Sequence, residues 1–146
     1  MRWTIITVGK PSLPWARDGA ADYLARLQRG ARVECLHLRE GTPAQINTQM
    51  LEASEGSVRV LLDERGQQRR SMALAQWIKK NELHSTKRIC LMIGGANGHS
   101  DELRSAADEL WSLSSLTLQH ELALVVLLEQ IYRAYSILRG EPYHRE

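Results

Sequence analysis

Strand-like and helix-like segments alternate along most of the chain, and this alternation constrains the fold more than any other feature. Runs rich in β-branched and apolar residues are separated by segments whose apolar residues recur at helical spacing. Such alternation predicts an α/β protein with a mostly parallel sheet, helices on both faces and a ligand site at the carboxyl ends of the strands. The predicted strands are 3–9, 32–38, 58–63 and 88–95, and the predicted helices are 14–28, 42–54 and 71–83.

The last third of the chain departs from this simple pattern. Ser100 precedes two acidic residues, which is typical of a helix start, and residues 112–118 alternate as in a strand. Residues 120–139 then predict a long helix without Gly or Pro, which is apolar on every side from 122 to 128. A helix that is apolar all round must be covered all round, and a second copy of the chain would supply that cover. This predicts a homodimer; a helix wrapped by its own domain is the alternative.

Length and composition indicate one ordinary globular domain. The 146 residues, 43% hydrophobic and 25% charged, predict a single domain over 1–146 with its own core. The start of the chain is strand-like and does not resemble a secretory signal. The longest apolar run, 122–128, is far shorter than the ~20 residues that a membrane-spanning helix needs. No membrane association is therefore expected.

The cysteines and histidines predict no metal site. Cys35 and Cys90 lie in apolar runs without a CxxC pair, which favours free thiols in a reducing compartment and hence a cytoplasmic protein. None of the histidines shows the HxxxH or HExxH spacing of zinc ligands. They are His37, His84, His99, His120 and His144.

The segment IGGANG, residues 93–98, follows a predicted strand and precedes a helix. Glycines there let the backbone approach a ligand and present N–H groups to it. A dinucleotide fingerprint would normally follow the first strand, where this chain has GKPSLP. A nucleotide-dependent oxidoreductase is therefore disfavoured, and a purely structural glycine turn stays open when this loop is considered alone.

Four segments together resemble a known family. LLDERG, MIGGANG, LWSLSSLTLQH and LLEQIYRAYSILRGEPYHRE match, in order and spacing, the ribosomal RNA large-subunit methyltransferase H family. This family groups small bacterial members of the SPOUT class of methyltransferases, and the resemblance covers essentially the whole chain. It implies a single-domain SPOUT-type α/β fold, mostly parallel, whose C-terminal segment threads through a loop to form a trefoil knot. It also implies a homodimer.

The resemblance further implies an activity. Members transfer a methyl group from S-adenosylmethionine to N3 of a pseudouridine in large-subunit (23S) ribosomal RNA, and the substrate could be free RNA, a subunit or the assembled ribosome. A sulfonium methyl donor needs positioning and no metal. The implied cofactor-binding residues are Leu62, Gly94, Leu113, Ser114, Ser115, Leu116, Thr117 and Leu118.

Reactive side chains stand at the very end of the chain, as Tyr143, His144 and Arg145. The N3 atom of pseudouridine carries a weakly acidic proton that must leave before or during transfer. Tyr143 or His144 could accept it, and Arg145 could hold a phosphate or stabilise negative charge on the base. These three are the candidate catalytic residues, supplied from a neighbouring subunit. The alternative is that Tyr143 merely packs the tail down and that His144 is solvated.

Two positions depart from the family pattern. Gln119 stands where the family usually has Pro, and Leu124 stands where it usually has Arg. If that Arg steadies RNA or the active-site face, its loss weakens the expectation of activity more than that of fold or cofactor. The alternative function is therefore a catalytically weakened ribosome-binding or assembly protein that retains the fold. Asn97 replaces an acidic residue of many relatives and suits the same turn.

Overall fold

A computed structural model describes residues 1–95 and 98–145 of the chain. Within this part, five parallel strands form one sheet in the order β2-β1-β4-β3-β5, with helices between them. The strands are β1 Arg2–Val8, β2 Arg32–Leu38, β3 Val58–Gln67, β4 Arg88–Ile93 and β5 Glu109–Trp111. The helices are α1 Pro14–Gln28, α2 Pro43–Ala53, α3 Ser71–Leu83, α4 Asp101–Ala106 and α5 His120–Leu138.

Both faces of the sheet are covered by helices, as the alternation predicts. Successive side chains of a strand point to opposite faces, so Trp3 and Ile5 of β1 join one core and Ile6 joins the other. The first core lies under α1, α3 and α5, and the second lies under α2 and α4. Residues 89–93 of β4 are all buried, as expected for a central strand of a parallel sheet. The predicted fold class is confirmed.

Helix α5 is mostly wrapped by its own domain. Leu124, Leu127 and Leu128 are buried in the core between the sheet, α1 and α3. The helices α1 and α5 approach closely at Gly19, where an added Cβ would lie 3.3 Å from a methyl carbon of Val125. The alternative of a wrapped helix therefore accounts for most of the apolar surface of α5. A half-buried strip formed by Leu122, Val125 and Val126 remains.

Side-chain caps fix the starts of three helices. Thr42 and Gln45 form a reciprocal capping box at α2, and the Ser100 hydroxyl accepts a hydrogen bond from the amide of Leu103 at α4. The Gln119 side chain accepts hydrogen bonds from the first amides of α5, at 2.7 and 3.0 Å. The residue that replaces the family's usual Pro thus caps the long helix.

One element is wrong in the prediction. Residues 112–118 form an irregular loop, and the fifth strand lies earlier, at Glu109–Trp111. Helix α4 accordingly ends at Ala106. Pairing with β3 selects this strand, because Leu61 pairs with Leu110 and Leu62 with Trp111. The apolar alternation of 112–118 comes instead from side chains that line a cavity.

Strand β3 is longer than predicted and packs very tightly against β5. Leu62 and Gln67 both pair with Trp111, so the chain between them departs from the regular ladder. An added Cβ on Gly66 would lie 2.5–2.6 Å from backbone atoms of Leu110 and Trp111. The trefoil knot stays a prediction. In the described residues, no helix is both long and apolar enough to cross a membrane.

Candidate active site

A cavity of about 530 Å³ opens beside the second half of β3 and the end of β4. Its wall is formed by residues 62–65 of β3, the glycine loop after Ile93, the loop 112–118 and the first turn of α5. The position agrees with the expected ligand site at the carboxyl ends of parallel strands. Its size suits a small organic ligand.

The cavity brings together most of the cofactor-binding residues that the resemblance implies. Ser115 is the exception, since it does not line the wall. The apolar side of the cavity also includes Ile93, Trp111 and Ala123, which sequence reasoning did not single out. The implied residues that line the wall are Leu62, Gly94, Leu113, Ser114, Leu116, Thr117 and Leu118.

The loop 112–118 is shaped by its own serines. The Ser112 hydroxyl donates to the carbonyl of Ser114 at 2.8 Å, and the Ser114 hydroxyl accepts from the amide of Leu116 at 2.9 Å. In the described part of the chain, the amides of Leu113, Thr117 and Leu118 make no hydrogen bond. Apolar walls with available backbone donors fit a flat heterocycle such as adenine.

The glycine loop is held together by a close backbone approach. An added Cβ on Gly94 would lie 3.0 Å from the carbonyl carbon of Gly98, and Gly98 has a φ of +68°. A side chain at 94 would therefore push the two ends of the loop apart, and Gly98 occupies a backbone region that favours glycine. Ala96 and Asn97 lie outside the described residues.

A charged group lines another part of the wall. The Arg104 Nε donates to Asp63 Oδ2 at 2.8 Å, and Arg104 Nη1 donates to Asp101 Oδ1 at 2.9 Å. Burial opposes ionisation of Asp63, but the bonds from Arg104 and the Arg65 amide outweigh it and lower the pKa of Asp63. Asp63 is thus a carboxylate, and it fixes the guanidinium of Arg104 beside the cavity.

His99 adds a neutral side chain to this wall. It is buried, its Nε2 lies 3.2 Å from the carbonyl of Met92, and burial lowers its pKa. The side chains of His, Cys, Asp and Glu in residues 1–95 and 98–145 form no group of three that could hold a metal ion.

Trp111 is braced from behind by a carboxylate. Glu109 accepts hydrogen bonds from Trp77 Nε1 at 2.8 Å, from Trp111 Nε1 at 3.0 Å and from Arg69 Nη2 at 2.7 Å. Burial opposes ionisation of Glu109, and these donors together lower its pKa. The arrangement gives the cavity a rigid aromatic wall. The contributing residues are far apart in sequence, so no local motif signals it.

Leu124, the second departure from the family pattern, does not reach the cavity. It is 2% exposed and belongs to the core. The neighbouring Glu121 instead ties α5 to the loop after β1 by accepting hydrogen bonds from the amides of Ser12 and Leu13. Burial by itself raises the pKa of Glu121, but these bonds lower it overall. The start of α5 is therefore firmly anchored.

The C-terminal tail lies against α1 and α5 of its own chain. The Tyr143 hydroxyl makes hydrogen bonds with Tyr23 at 3.0 Å and with Glu129 Oε1 at 3.2 Å. Its ring meets the edge of Tyr132 at 4.8 Å between centroids, and the guanidinium of Arg133 lies over it. Burial, together with the hydrogen bond to Tyr23 and the negative charge of Glu129, raises the pKa of Tyr143. Tyr143 does pack the tail down.

His144 is not solvated, contrary to the alternative interpretation. It is half-buried, and Arg133 Nη1 lies 3.1 Å from its Nδ1. Since a guanidinium can only donate, His144 Nδ1 is the acceptor. Arg145 is exposed. The structure thus places the three tail residues together.

The tail does not reach the cavity of its own chain. Glu129, which holds Tyr143, lies six residues beyond Ala123, the last residue of α5 that lines the cavity. At ~1.5 Å per residue, this separates the two by about 9 Å along α5. None of the three tail residues lines the cavity.

Comparisons with known proteins agree with this geometry. A family model described as a predicted SPOUT methyltransferase matches residues 1–144. A protein of Deinococcus deserti named ribosomal RNA large subunit methyltransferase H is 43% identical over 145 residues, which cover 99% of this chain and 100% of that protein. A protein of the same name from Thermus thermophilus is 40% identical, with 99% of both chains covered.

Solved structures share the fold at low sequence identity. The tRNA (m1G37) methyltransferase of Aquifex aeolicus superposes with a TM-score of 0.58 and 13% identity, covering 100% of this chain and 76% of that one. A probable methyltransferase of Bordetella pertussis gives a TM-score of 0.57 at 10% identity, covering 91% and 95%. These likenesses establish the fold.

Proposed function

The chain belongs to the SPOUT methyltransferase family, and we propose on that basis that it methylates N3 of a pseudouridine in large-subunit ribosomal RNA with S-adenosylmethionine as the donor. The observation that supports this most directly is the gathering of seven implied cofactor residues around one cavity. Full-length relatives named for this activity support the choice of RNA. The reaction would take place in the cytoplasm, where ribosomal RNA is modified.

The residues of the cavity fit the cofactor. Leu62, Leu113 and Leu118 offer apolar walls to adenine, and the amides of the 112–118 loop offer donors to its edge. The close approach of Gly94 to Gly98 shapes the rim without a side chain in between. When bound, the cofactor supplies an electrophilic methyl group on a sulfonium. The protein then contributes mainly by positioning that group and excluding water.

The tail is proposed to act on the base. The proton that leaves N3 on methylation would pass to Tyr143 or His144, directly or through water. The negative charge that develops on the base would be stabilised by Arg145.

A homodimer would complete the site. None of the tail residues lines the cavity of its own chain, and Glu129, which holds Tyr143, is about 9 Å along α5 from Ala123 of the cavity wall, so a cavity in another copy of the chain is the proposed target of the tail. The half-buried strip of Leu122, Val125 and Val126 on α5 offers an apolar surface for that copy. The dimer interface on α5 and a site formed by the cavity of one copy and the tail of the other are therefore proposed together.

Assembly can be tested with two glutamate variants at adjacent positions of α5 that differ in burial. Val126→Glu should yield folded monomers. The variant places a charge in the proposed interface, and the half-buried position lets the single chain keep its fold. Leu127→Glu is the control; that side chain is 1% exposed in the core, so the chain should unfold rather than dissociate. Light scattering and circular dichroism distinguish the two outcomes. A monodisperse wild-type monomer at micromolar concentration would contradict the dimer.

Cofactor binding can be tested by calorimetry. S-adenosylmethionine should bind and NAD, which also contains adenosine, should not. Gly94→Val should abolish binding, because its side chain would force Gly94 and Gly98 apart and distort the rim. Circular dichroism checks that the variant still folds. Tight binding by a folded Gly94→Val protein would rule out this pocket.

The RNA product tests the function itself. Mass spectrometry of ribosomal RNA nucleosides from cells with and without the gene should show N3-methylpseudouridine only in its presence. The rival function, a binding or assembly protein without turnover, predicts identical nucleosides in both strains together with co-sedimentation of the protein with ribosomal particles.

A further inference from the structure

One side of the cavity is charged, and the proposed adenosyl-binding residues do not include the side chains that form it. Asp63 directly follows Leu62, and Arg104 projects from α4 onto the same wall. Asp63 is 5% exposed and Arg104 is 22% exposed at the side chain. A buried carboxylate paired with an arginine is costly to desolvate, so its place beside an apolar ligand cavity calls for an explanation.

Two carboxylates fix the orientation of the Arg104 guanidinium. Nε is bound by Asp63 and Nη1 by Asp101, which holds the planar group at two of its three nitrogens. The third nitrogen, Nη2, makes no hydrogen bond with the described residues. Asp63 in turn uses its other oxygen for the amide of Arg65 at 2.9 Å. The pair therefore presents one oriented donor that no described residue occupies and that a ligand in the cavity can use.

We propose that Arg104, positioned by Asp63, binds the carboxylate of the methionine part of S-adenosylmethionine and thereby determines the preference of this site for the intact cofactor. The inference rests on the proposed function and adds a residue that recognises the amino-acid end. Adenine suits the leucine walls, whereas a carboxylate needs a charged donor. Arginine meets this need well because its planar group keeps a fixed geometry.

The test compares two ligands that differ only in this carboxylate. Calorimetry with S-adenosylmethionine and with its decarboxylated analogue should show that the wild-type protein binds the intact molecule roughly 10- to 100-fold more tightly, as a charge-assisted hydrogen bond allows. Arg104→Met should lose most of this ratio and leave the affinity for the decarboxylated analogue nearly unchanged. Arg104→Lys, which keeps the charge next to Asp63, should retain part of it.

Control measurements separate this role from a structural one. Arg17→Met removes an arginine that pairs with Asp18 outside the cavity, and the ratio should stay at the wild-type value. 5′-Methylthioadenosine, which lacks the whole amino-acid part, should bind wild type and Arg104→Met alike and thus report an intact adenosyl pocket. Arg104→Lys covers the case in which the Met variant fails to fold.

Three results would overturn the inference. An unchanged ratio in both Arg104 variants would show that the carboxylate is bound elsewhere. If the Arg104 variants lost affinity equally for both adenosyl ligands and also for methylthioadenosine, Arg104 would be a structural residue. Weaker RNA binding with an unchanged ligand ratio would assign Arg104 to a phosphate of the substrate. If the wild-type protein binds neither S-adenosylmethionine nor its decarboxylated analogue, the proposed function itself fails. This outcome differs from the three above, in which the wild-type protein binds S-adenosylmethionine.

Discussion

Removal of the tail from Tyr143 onward is expected to lower the rate of methyl transfer by about 10²–10⁴-fold, while the affinity for S-adenosylmethionine stays close to wild type. The tail contacts α1 and α5 and lies away from the cavity, so its loss leaves the cofactor walls untouched. Single-turnover kinetics with a ribosomal RNA stem-loop or with ribosomal subunits measures the rate, and calorimetry measures the affinity.

Single variants within the tail should then differ from one another. Arg145→Ala should mainly weaken RNA binding and reduce its salt dependence, as the loss of one phosphate contact does. His144→Ala should mainly lower the rate at saturating RNA, since removal of the N3 proton in the transition state would be impaired. A higher pH should recover part of that rate if deprotonation of N3 has become limiting.

Tyr143→Phe serves as the matched control for packing. It keeps the ring against Tyr132 and Arg133 and removes only the hydroxyl bonds with Tyr23 and Glu129. A packing role predicts a small effect on rate and a modest loss of stability. Full activity of the deletion variant would show that the tail only packs.

Most of the fold could be predicted from the sequence because the local patterns of strand and helix residues are strong in most elements. The strand at the start of the chain is buried from Trp3 to Thr7, and the helix that begins at Pro14 ends at Gln28 as expected. The capping residues Thr42 and Ser100 also act as their sequence context predicts. In each case propensity, periodicity and tertiary packing favour the same conformation.

The error at residues 112–118 has a physical cause. Alternating Leu and Ser predict a strand equally well whether the leucines face a sheet core or a cavity wall. The choice depends on which segment finds a partner strand, and Glu109–Trp111 pairs with β3. That pairing is a tertiary event, which the local sequence does not contain.

The candidate site was predictable only where motifs are contiguous. Gly94 and the 112–118 loop follow from segments that the family resemblance identifies. The pair Asp63 and Arg104 joins positions 41 residues apart, and the contact of Tyr23 with Tyr143 spans 120 residues. Such contacts depend on how α4 and the tail fold back onto the sheet, so no spacing rule reveals them.

The close approach of β3 and β5 makes Gly66 the glycine at which substitution is expected to cost the most stability. Gly66→Ala should cost roughly 3 kcal/mol or more, since overpacking a tight contact typically costs 1–3 kcal/mol and here only backbone faces the new methyl group. Against a total stability of about 5–15 kcal/mol for a domain, the loss is large. The new Cβ would lie 2.5 Å from the Leu110 carbonyl carbon and 2.6 Å from the Trp111 amide nitrogen.

Urea unfolding of Gly66→Ala beside Gly30→Ala tests this expectation. At Gly30 an added Cβ meets only the far end of the Arg139 side chain, at 2.6 Å, which can swing aside. Gly30→Ala should therefore stay close to wild type while Gly66→Ala unfolds at much lower urea. Since Trp111 lines the cavity, any folded Gly66→Ala protein should also bind S-adenosylmethionine more weakly. Equal urea midpoints for Gly66→Ala and Gly30→Ala would mean that β3 and β5 can separate locally. The close contact between these strands would then play no part in holding the cavity wall.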